Sequence, residues 1–354
     1  MFRIVHIQPN SHIPTNRKVL IIYTGGTLGM TYDKKARSLV PFDFEQILRK
    51  VPELRDLACE LTVISFETLI DSSNMQPTIW IQLAELIGQN YEKYDGFVVL
   101  HGTDTMAHTA SALSFLLEGL RKPVILTGAQ LPISALRTDA RRNLLTSIEI
   151  AIAKQNEQAL VPEVAIFFND VLLRGNRSRK IESSHFDAFH SENYPELAKV
   201  GIQIQYNHAA IQTPTVLSFL QVHTKMDNRV TIIKIFPGIS EGVLRGVLEI
   251  NELQGVVLET FGSGNAPTEK WFIKAIQDAL DRKLWIYNVS QCIGGQVMQG
   301  RYATSQAFAE MGVVSGKDIT SEAAIAKLMF LLAQQLPETQ TRLRLAYPLR
   351  GEMS

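Results

Sequence analysis

Between residues 19 and 168 the chain alternates short apolar runs, each closing on a small or polar residue, with longer amphipathic stretches. Runs at residues 19–23, 61–66, 96–100, 123–126 and 164–168 are rich in Val, Ile or Phe and predict strands buried on both faces of a parallel sheet. Between them, residues 79–91, 105–120 and 140–153 carry apolar positions at helical spacing and predict the crossover helices. Polar, irregular sequence follows over residues 174–206, and after a further stretch to residue 228 the rhythm resumes. Strands are predicted at 230–236, 256–260 and 284–289, with helices at 268–281, 305–311 and 321–335. The class is α/β, divided into an N-terminal domain 1–205, a linker 206–228 and a smaller C-terminal domain 229–354.

Bulk properties narrow the function classes. At 354 residues and 45% hydrophobic content, two compact domains are expected rather than one core. Lys plus Arg and Asp plus Glu are 35 each, which leaves no net field to gather nucleic acid or an acidic membrane surface. Cys59 and Cys292 lie far apart without metal-ligand spacing, which suits a reducing compartment and packed core thiols. The first residues, broken by His6, Gln8, Pro9, Asn10 and Arg17, lack the continuous apolar segment of an export signal. No apolar run approaches the roughly 20 residues that span a bilayer. A soluble cytoplasmic protein is the expectation.

In open parallel sheets ligands bind beyond the carboxyl ends of strands, so the informative residues follow each apolar run. Thr24-Gly25-Gly26-Thr27-Leu28-Gly29 follows the first. Its glycines allow close backbone approach to a ligand and leave amide N–H groups exposed, while the threonines supply hydroxyls. Taken alone it reads as a tight strand-to-loop turn or a phosphate cradle as readily as a catalytic ligand site. The Walker lysine is missing, however, and the G-x-G-x-x-G spacing is not met. His101-Gly102-Thr103-Asp104-Thr105 follows the third run and opens a helix. Helix capping by Asp or Thr would account for one of these five residues.

Together and in this order, Tyr23-Thr24-Gly25-Gly26-Thr27 and His101-Gly102-Thr103-Asp104-Thr105 resemble the two signature segments of the bacterial-type L-asparaginases. The resemblance extends over nearly the whole chain, through residues 70–75, 127–132, Arg174-Gly175-Asn176-Arg177 with Lys180, and residues 261–267. It implies a larger N-terminal domain with a mainly parallel, flavodoxin-like sheet covered by helices, and a smaller Rossmann-like α/β domain. The absent export signal and the Arg-Gly-Asn-Arg segment resemble the cytoplasmic, type I branch. The implied reaction releases ammonia from L-asparagine through an acyl-enzyme. In it Thr24 is the nucleophile, Thr103 and Lys180 relay protons beside Asp104, and the Gly25 and Thr103 N–H groups hold the oxyanion. A lysine amine can relay protons where its surroundings disfavour the charge, and Arg177 and Arg179 are candidates for that influence. Without the resemblance, Lys180 would read as one more member of a solvated basic run. Asp104 is assigned the substrate ammonium and Ser72 its carboxylate, with Asp71, Ser73 and Gln130 lining the pocket. Ser72 and Ser73 could otherwise simply introduce the helix after Pro77.

One position departs from the family pattern. Many asparaginases place a tyrosine in the loop after the first signature, and alignment on Val40-Pro41 puts Leu39 there. Tyr302 is the preferred substitute, with Tyr32 the other candidate. The polar loop 30–38 has the composition of a lid. The resemblance also implies a homodimer or homotetramer, in which Gly264 and Asn265 of a neighbouring subunit complete the site. No metal or organic cofactor is implied, since the eight histidines form no ligand-spaced cluster; His101 and His108 are read as structural. The competing readings are a glutaminase of broader specificity, an ammonia-supplying amidotransferase subunit, and a nucleotide-binding protein built on the Gly25-Gly26 turn.

Overall fold

The computed structural model describes residues 2–10, 12–13, 15–33, 38–41, 47–214, 219–300 and 303–354. The chain forms two compact units, Met1–Thr224 and Lys225–Ser354.

The first unit is built on a nine-stranded sheet. Its strands are β1 (Phe2–Ile7), β2 (Lys18–Tyr23), β3 (Glu60–Phe66), β4 (Gly96–Leu100), β5 (Val124–Thr127), β6 (Val164–Phe168), β7 (Val171–Arg174), β8 (Ala198–Val200) and β9 (Ile204–Tyr206). In space they run β1-β3-β2-β4-β5-β6-β7-β8-β9. The five central strands β3, β2, β4, β5 and β6 are mutually parallel. Counted alone they have the flavodoxin-like order, in which the winding reverses between β2 and β4 and opens a crevice at their carboxyl ends. The flanking strands β1, β7, β8 and β9 pair antiparallel. The sheet is covered by α1 (Pro77–Asn90), α2 (Met106–Leu116) and α3 (Ala140–Ile152). In α1 the buried Trp80, Leu83, Ala84 and Ile87 recur at helical spacing behind Pro77, which suits the first helical position because it has no N–H to leave unpaired.

Several sequence expectations change. The 174–206 region is not simply irregular, since it holds β8, β9 and the short pair Arg179–Lys180 with Phe189–His190. The N-terminal segment, in which no strand was expected, pairs as β1 against β3 from Phe2 opposite Phe66 to Ile7 opposite Leu61. The division between units falls after Thr224, inside the span 206–228 read as a linker, and residues up to 224 go with the first unit. Gln221–Val222 pairs with Leu117–Glu118, and His223 Nε2 lies 2.8 Å from Glu118 Oε2, so this segment is tied to the end of α2. Cys59 is a packed core thiol, pushed up to about 12 by burial with the Asp95 charge adding to it. Cys292, expected in a core, is exposed.

The second unit carries four parallel strands in consecutive order: β10 (Val230–Lys234), β11 (Gly255–Thr260), β12 (Trp285–Ser290) and β13 (Val314–Ser315). Its helices are α4 (Glu241–Leu248), α5 (Lys270–Asp281), α6 (Ala303–Met311), α7 (Ser321–Ala333) and α8 (Glu338–Ala346). Consecutive order gives no reversal of winding, so this sheet has no switch-point crevice of its own. Phe272, Ala275, Ile276 and Ala279 form the buried stripe of α5, and α7 is buried nearly all round, Lys327 included.

Candidate active site

The reversal between β2 and β4 places the two signature turns side by side. Thr24 leaves β2 almost fully buried; its N–H and its Oγ1 both donate to the carbonyl of Leu100, the last residue of β4, at 3.1 and 2.9 Å. The glycines then let three segments close on one another. A Cβ on Gly25 (φ 141°) would lie 2.3 Å from the Ile70 carbonyl oxygen. One on Gly26 (φ 91°) would lie 2.6 Å from the Gly102 nitrogen, and one on Gly102 would lie 2.5 Å from Ser72 Oγ. The close approach expected toward a ligand is therefore an approach of the chain to itself. Neither the Gly25 nor the Thr103 N–H donates to any acceptor among the described residues, so both remain available at this junction.

The second turn carries the charge. Lys180 Nζ donates to Thr103 Oγ1 at 2.8 Å and to Asp104 Oδ1 at 2.7 Å. The lysine side chain is 16% exposed and that of Asp104 67%, so the amine is sheltered while the carboxylate faces solvent. Thr103 Oγ1 in turn donates to Gln130 Oε1 at 3.4 Å. Thr105, the N-cap residue of α2, makes no side-chain cap; its hydroxyl donates to the Ser72 carbonyl at 2.7 Å. Capping therefore does not account for this motif. The solvated basic run is likewise absent. Arg174 is buried in a pair with Glu163 at 2.6 Å, and the guanidinium groups of Arg174 and Arg177 lie 4.2 and 5.1 Å from the Tyr194 ring. Arg179 stands opposite His190 in its two-residue strand.

Asp71 accepts from the Ser73 N–H and Oγ at 2.9 and 2.7 Å, bonds that hold its carboxyl below the usual carboxylate range and cap the turn Ser72–Asn74. Asp71 and Ser73 are exposed, whereas Ser72 is buried against Gly102. Sequence reasoning did not find the supports beneath the loop after β5. Asp139 accepts from the N–H groups of Gln130 and Leu131 at 2.9 and 3.0 Å, and Asn143 Nδ2 donates to the Gly128 carbonyl at 3.0 Å. Both lie four residues apart at the start of α3, a spacing that is the only signal the sequence offered. Tyr302 lies outside the described residues. Tyr32 and Leu39 are register partners in the hairpin of Met30–Asp33 with Ser38–Pro41, the region read as a lid. Gly264 (φ 102°) sits in the turn after β11, where Phe261 and Asn265 form an isolated bridge.

His101 is fully buried, with Nδ1 2.6 Å from the Gly102 oxygen and Nε2 2.9 Å from Thr109 Oγ1. Burial pushes its pKa from the ordinary 6.5 down to about 4, against the opposing effect of the Gly102 bond. The unfolded chain takes up the proton near pH 6.5 and the folded protein only near pH 4. The stabilisation is thus fully present above pH 6.5 and lost as pH falls through about 4. At about 1.4 kcal/mol per unit, this ring alone is expected to remove roughly 3 kcal/mol across that window. Urea unfolding of the wild type and His101→Asn at neutral pH and near pH 4 checks it, and parallel pH profiles for the two proteins would contradict it.

A flavodoxin-order sheet with threonine turns from two neighbouring strands meeting at its switch point, one of them backed by a lysine amine, defines an α/β protein built to hold a small polar ligand. The chain belongs to the asparaginase family: residues 18–212 match the family's N-terminal domain and residues 229–343 the glutaminase/asparaginase C-terminal domain. It is 40% identical over 339 residues to L-asparaginase 1 of Escherichia coli strain K12, covering 96% of this chain and 98% of that protein. It is 41% identical to the mouse (Mus musculus) 60 kDa lysophospholipase over 96% of this chain and 63% of that protein. Among solved structures, L-asparaginase I from Vibrio cholerae O1 biovar eltor matches with a TM-score of 0.85 and 40% identity, over 96% of this chain and 99% of that one.

Proposed function

We propose that this chain hydrolyses L-asparagine to L-aspartate and ammonia. The observation that carries the proposal is the Lys180 amine, held between Thr103 Oγ1 and Asp104 Oδ1 beside the turn that bears Thr24. Thr24 Oγ attacks the side-chain amide carbon, and its proton passes to a base, for which Tyr302 is the proposed group. The oxyanion is received by the N–H groups of Gly25 and Thr103. Collapse breaks the C–N bond, the leaving nitrogen takes a proton from the Thr103 hydroxyl, and Lys180 restores that proton. Water then attacks the Thr24 ester, and the return of protons along the same path frees aspartate and the threonine.

The substrate ammonium pairs with the exposed Asp104 carboxylate, and its carboxylate is met by Ser72, with Asp71, Ser73 and Gln130 at the edge of the pocket. A protein of this type would act in the cytoplasm as a homodimer or homotetramer, with Gly264 and Asn265 of one subunit completing the site of another. Among the described residues no helix is long and apolar enough to cross a membrane.

The test is steady-state ammonia release over a range of L-asparagine, L-glutamine and D-asparagine concentrations. L-Asparagine is expected to be turned over with the highest kcat/KM. Lys180→Met, which keeps the stem and deletes the amine, is expected to lower kcat by about 100- to 10,000-fold, the range for loss of a positioned proton carrier. No ammonia from any of the three amides, or unchanged kcat in Lys180→Met, would refute the proposal.

A further inference from the structure

Beneath the second turn runs a chain of buried side chains that touches no part of the chemistry directly. Trp80 on α1 donates its indole N–H to Thr109 Oγ1 on α2 at 2.9 Å. Thr109 Oγ1 is 2.9 Å from His101 Nε2, and His101 Nδ1 is 2.6 Å from the Gly102 carbonyl oxygen. An indole N–H can only donate and a carbonyl can only accept. With its ends fixed in this way and a neutral ring between them, the chain has one arrangement of protons. The Thr109 hydroxyl accepts from Trp80 and donates to Nε2, which leaves the ring proton on Nδ1, donated to Gly102. The burial that pushes His101 down to about 4 keeps the ring neutral near neutral pH.

The end point matters because the Gly102 carbonyl shares a peptide unit with the Thr103 N–H. That unit is planar and trans, so holding the oxygen also sets the direction of the N–H on the opposite side of the bond. Gly102 must be glycine because Ser72 leaves no room for a Cβ, and glycine by itself resists rotation of this plane least.

We propose that His101 is a positioning residue for the reaction, anchoring the Gly102–Thr103 peptide plane so that the Thr103 N–H points at the developing oxyanion, with Trp80 and Thr109 fixing the ring's proton on Nδ1. This rests on the proposed oxyanion role of Thr103 and deepens it by extending the machinery to residues of two helices. A misdirected donor weakens only the transition state, so the defect belongs in kcat and not in KM.

Three variants and one spectrum test it. His101→Leu fills the space without a donor and is expected to lower kcat per folded enzyme by about 10- to 100-fold, up to the lower edge of what deleting a whole oxyanion donor costs, with KM little changed. His101→Asn, whose amide nitrogen falls near the position of Nδ1, is expected to recover most of that loss. Equal loss of kcat in both variants, or a KM that rises in step, would mark His101 as merely structural. Nitrogen NMR of histidine-labelled wild type is expected to show Nδ1 protonated and Nε2 bare, and the opposite tautomer would overturn the proposal even if His101→Leu fails to fold. Thr24→Ala separates the two levels. An inactive Thr24→Ala beside a fully active His101→Leu removes the positioning role alone, whereas an active Thr24→Ala removes the reaction scheme on which it rests.

Discussion

Thr24→Val is expected to lower kcat for asparagine by roughly four to six orders of magnitude, the scale seen when a nucleophile acting in a catalytic unit is deleted. Valine keeps the β-branched shape that fits a residue only 1% exposed, so packing is preserved. The Leu100 carbonyl loses the hydroxyl but keeps the Thr24 N–H at 3.1 Å, which limits the stability cost to about 1 kcal/mol. KM should change little, because substrate ammonium and carboxylate are recognised elsewhere. The geometry offers a rival nucleophile. Thr103, not Thr24, has an amine 2.8 Å from its oxygen, the arrangement that activates a hydroxyl in lysine-assisted hydrolases. If Thr103 attacked first, Thr24→Val would retain substantial turnover, and an acyl-enzyme trapped during turnover would carry its added mass on the peptide containing Thr103. Ammonia release by Thr24→Val and Thr103→Val, with mass mapping of the trapped ester, decides between the two hydroxyls.

The sequence carried those features that depend on local pattern. The five parallel strands were legible because each is a short Val/Ile-rich run with both faces buried, and the two threonine turns because each follows such a run. What escaped has weak local pattern or distant partners. In α4 only Leu244 and Leu248 are buried, and in α8 only Thr341 and Leu345, too few to raise a helical stripe above a polar background. Strand β1 alternates His6 and Arg3 with apolar residues and reads as a polar terminus until β3 is there to pair with it. The Trp80–Thr109–His101 chain joins two helices and a turn, and nothing in the spacing of those residues announces the contact. Lys180 illustrates the opposite limit. Its neighbours Arg174 and Arg177 look like a charged surface and are buried, the first by Glu163 and both by the face of Tyr194.

Lys327 is the most consequential residue the sequence concealed, and Lys327→Met is expected to destabilise the second unit by about 3 to 5 kcal/mol. Its ammonium and the Glu352 carboxylate are 2.7 Å apart and fully shielded from solvent. Burial pushes the lysine below its ordinary pKa, and the Glu352 charge opposes that shift. The ammonium also donates to the carbonyls of Leu345 and Tyr347 at 3.0 and 2.7 Å and lies 3.3 Å from Met353 Sδ. Glu352 also receives the N–H groups of Leu349 and Arg350, so the pair binds the last residues of the chain into the core beside α7. Methionine matches the lysine stem but strands a buried carboxylate with two amide donors and no countercharge. Glu352→Gln strands the ammonium instead and is expected to cost a similar amount. Because each single variant mainly exposes the partner's unmet charge, Lys327→Met combined with Glu352→Gln should lose clearly less than the sum of the two, as residues in direct contact do. Urea unfolding of the four proteins reads this coupling. A Lys327→Met protein within about 1 kcal/mol of wild type, below the expected cost of an unpaired buried charge, would show that the chain end is not held by this pair.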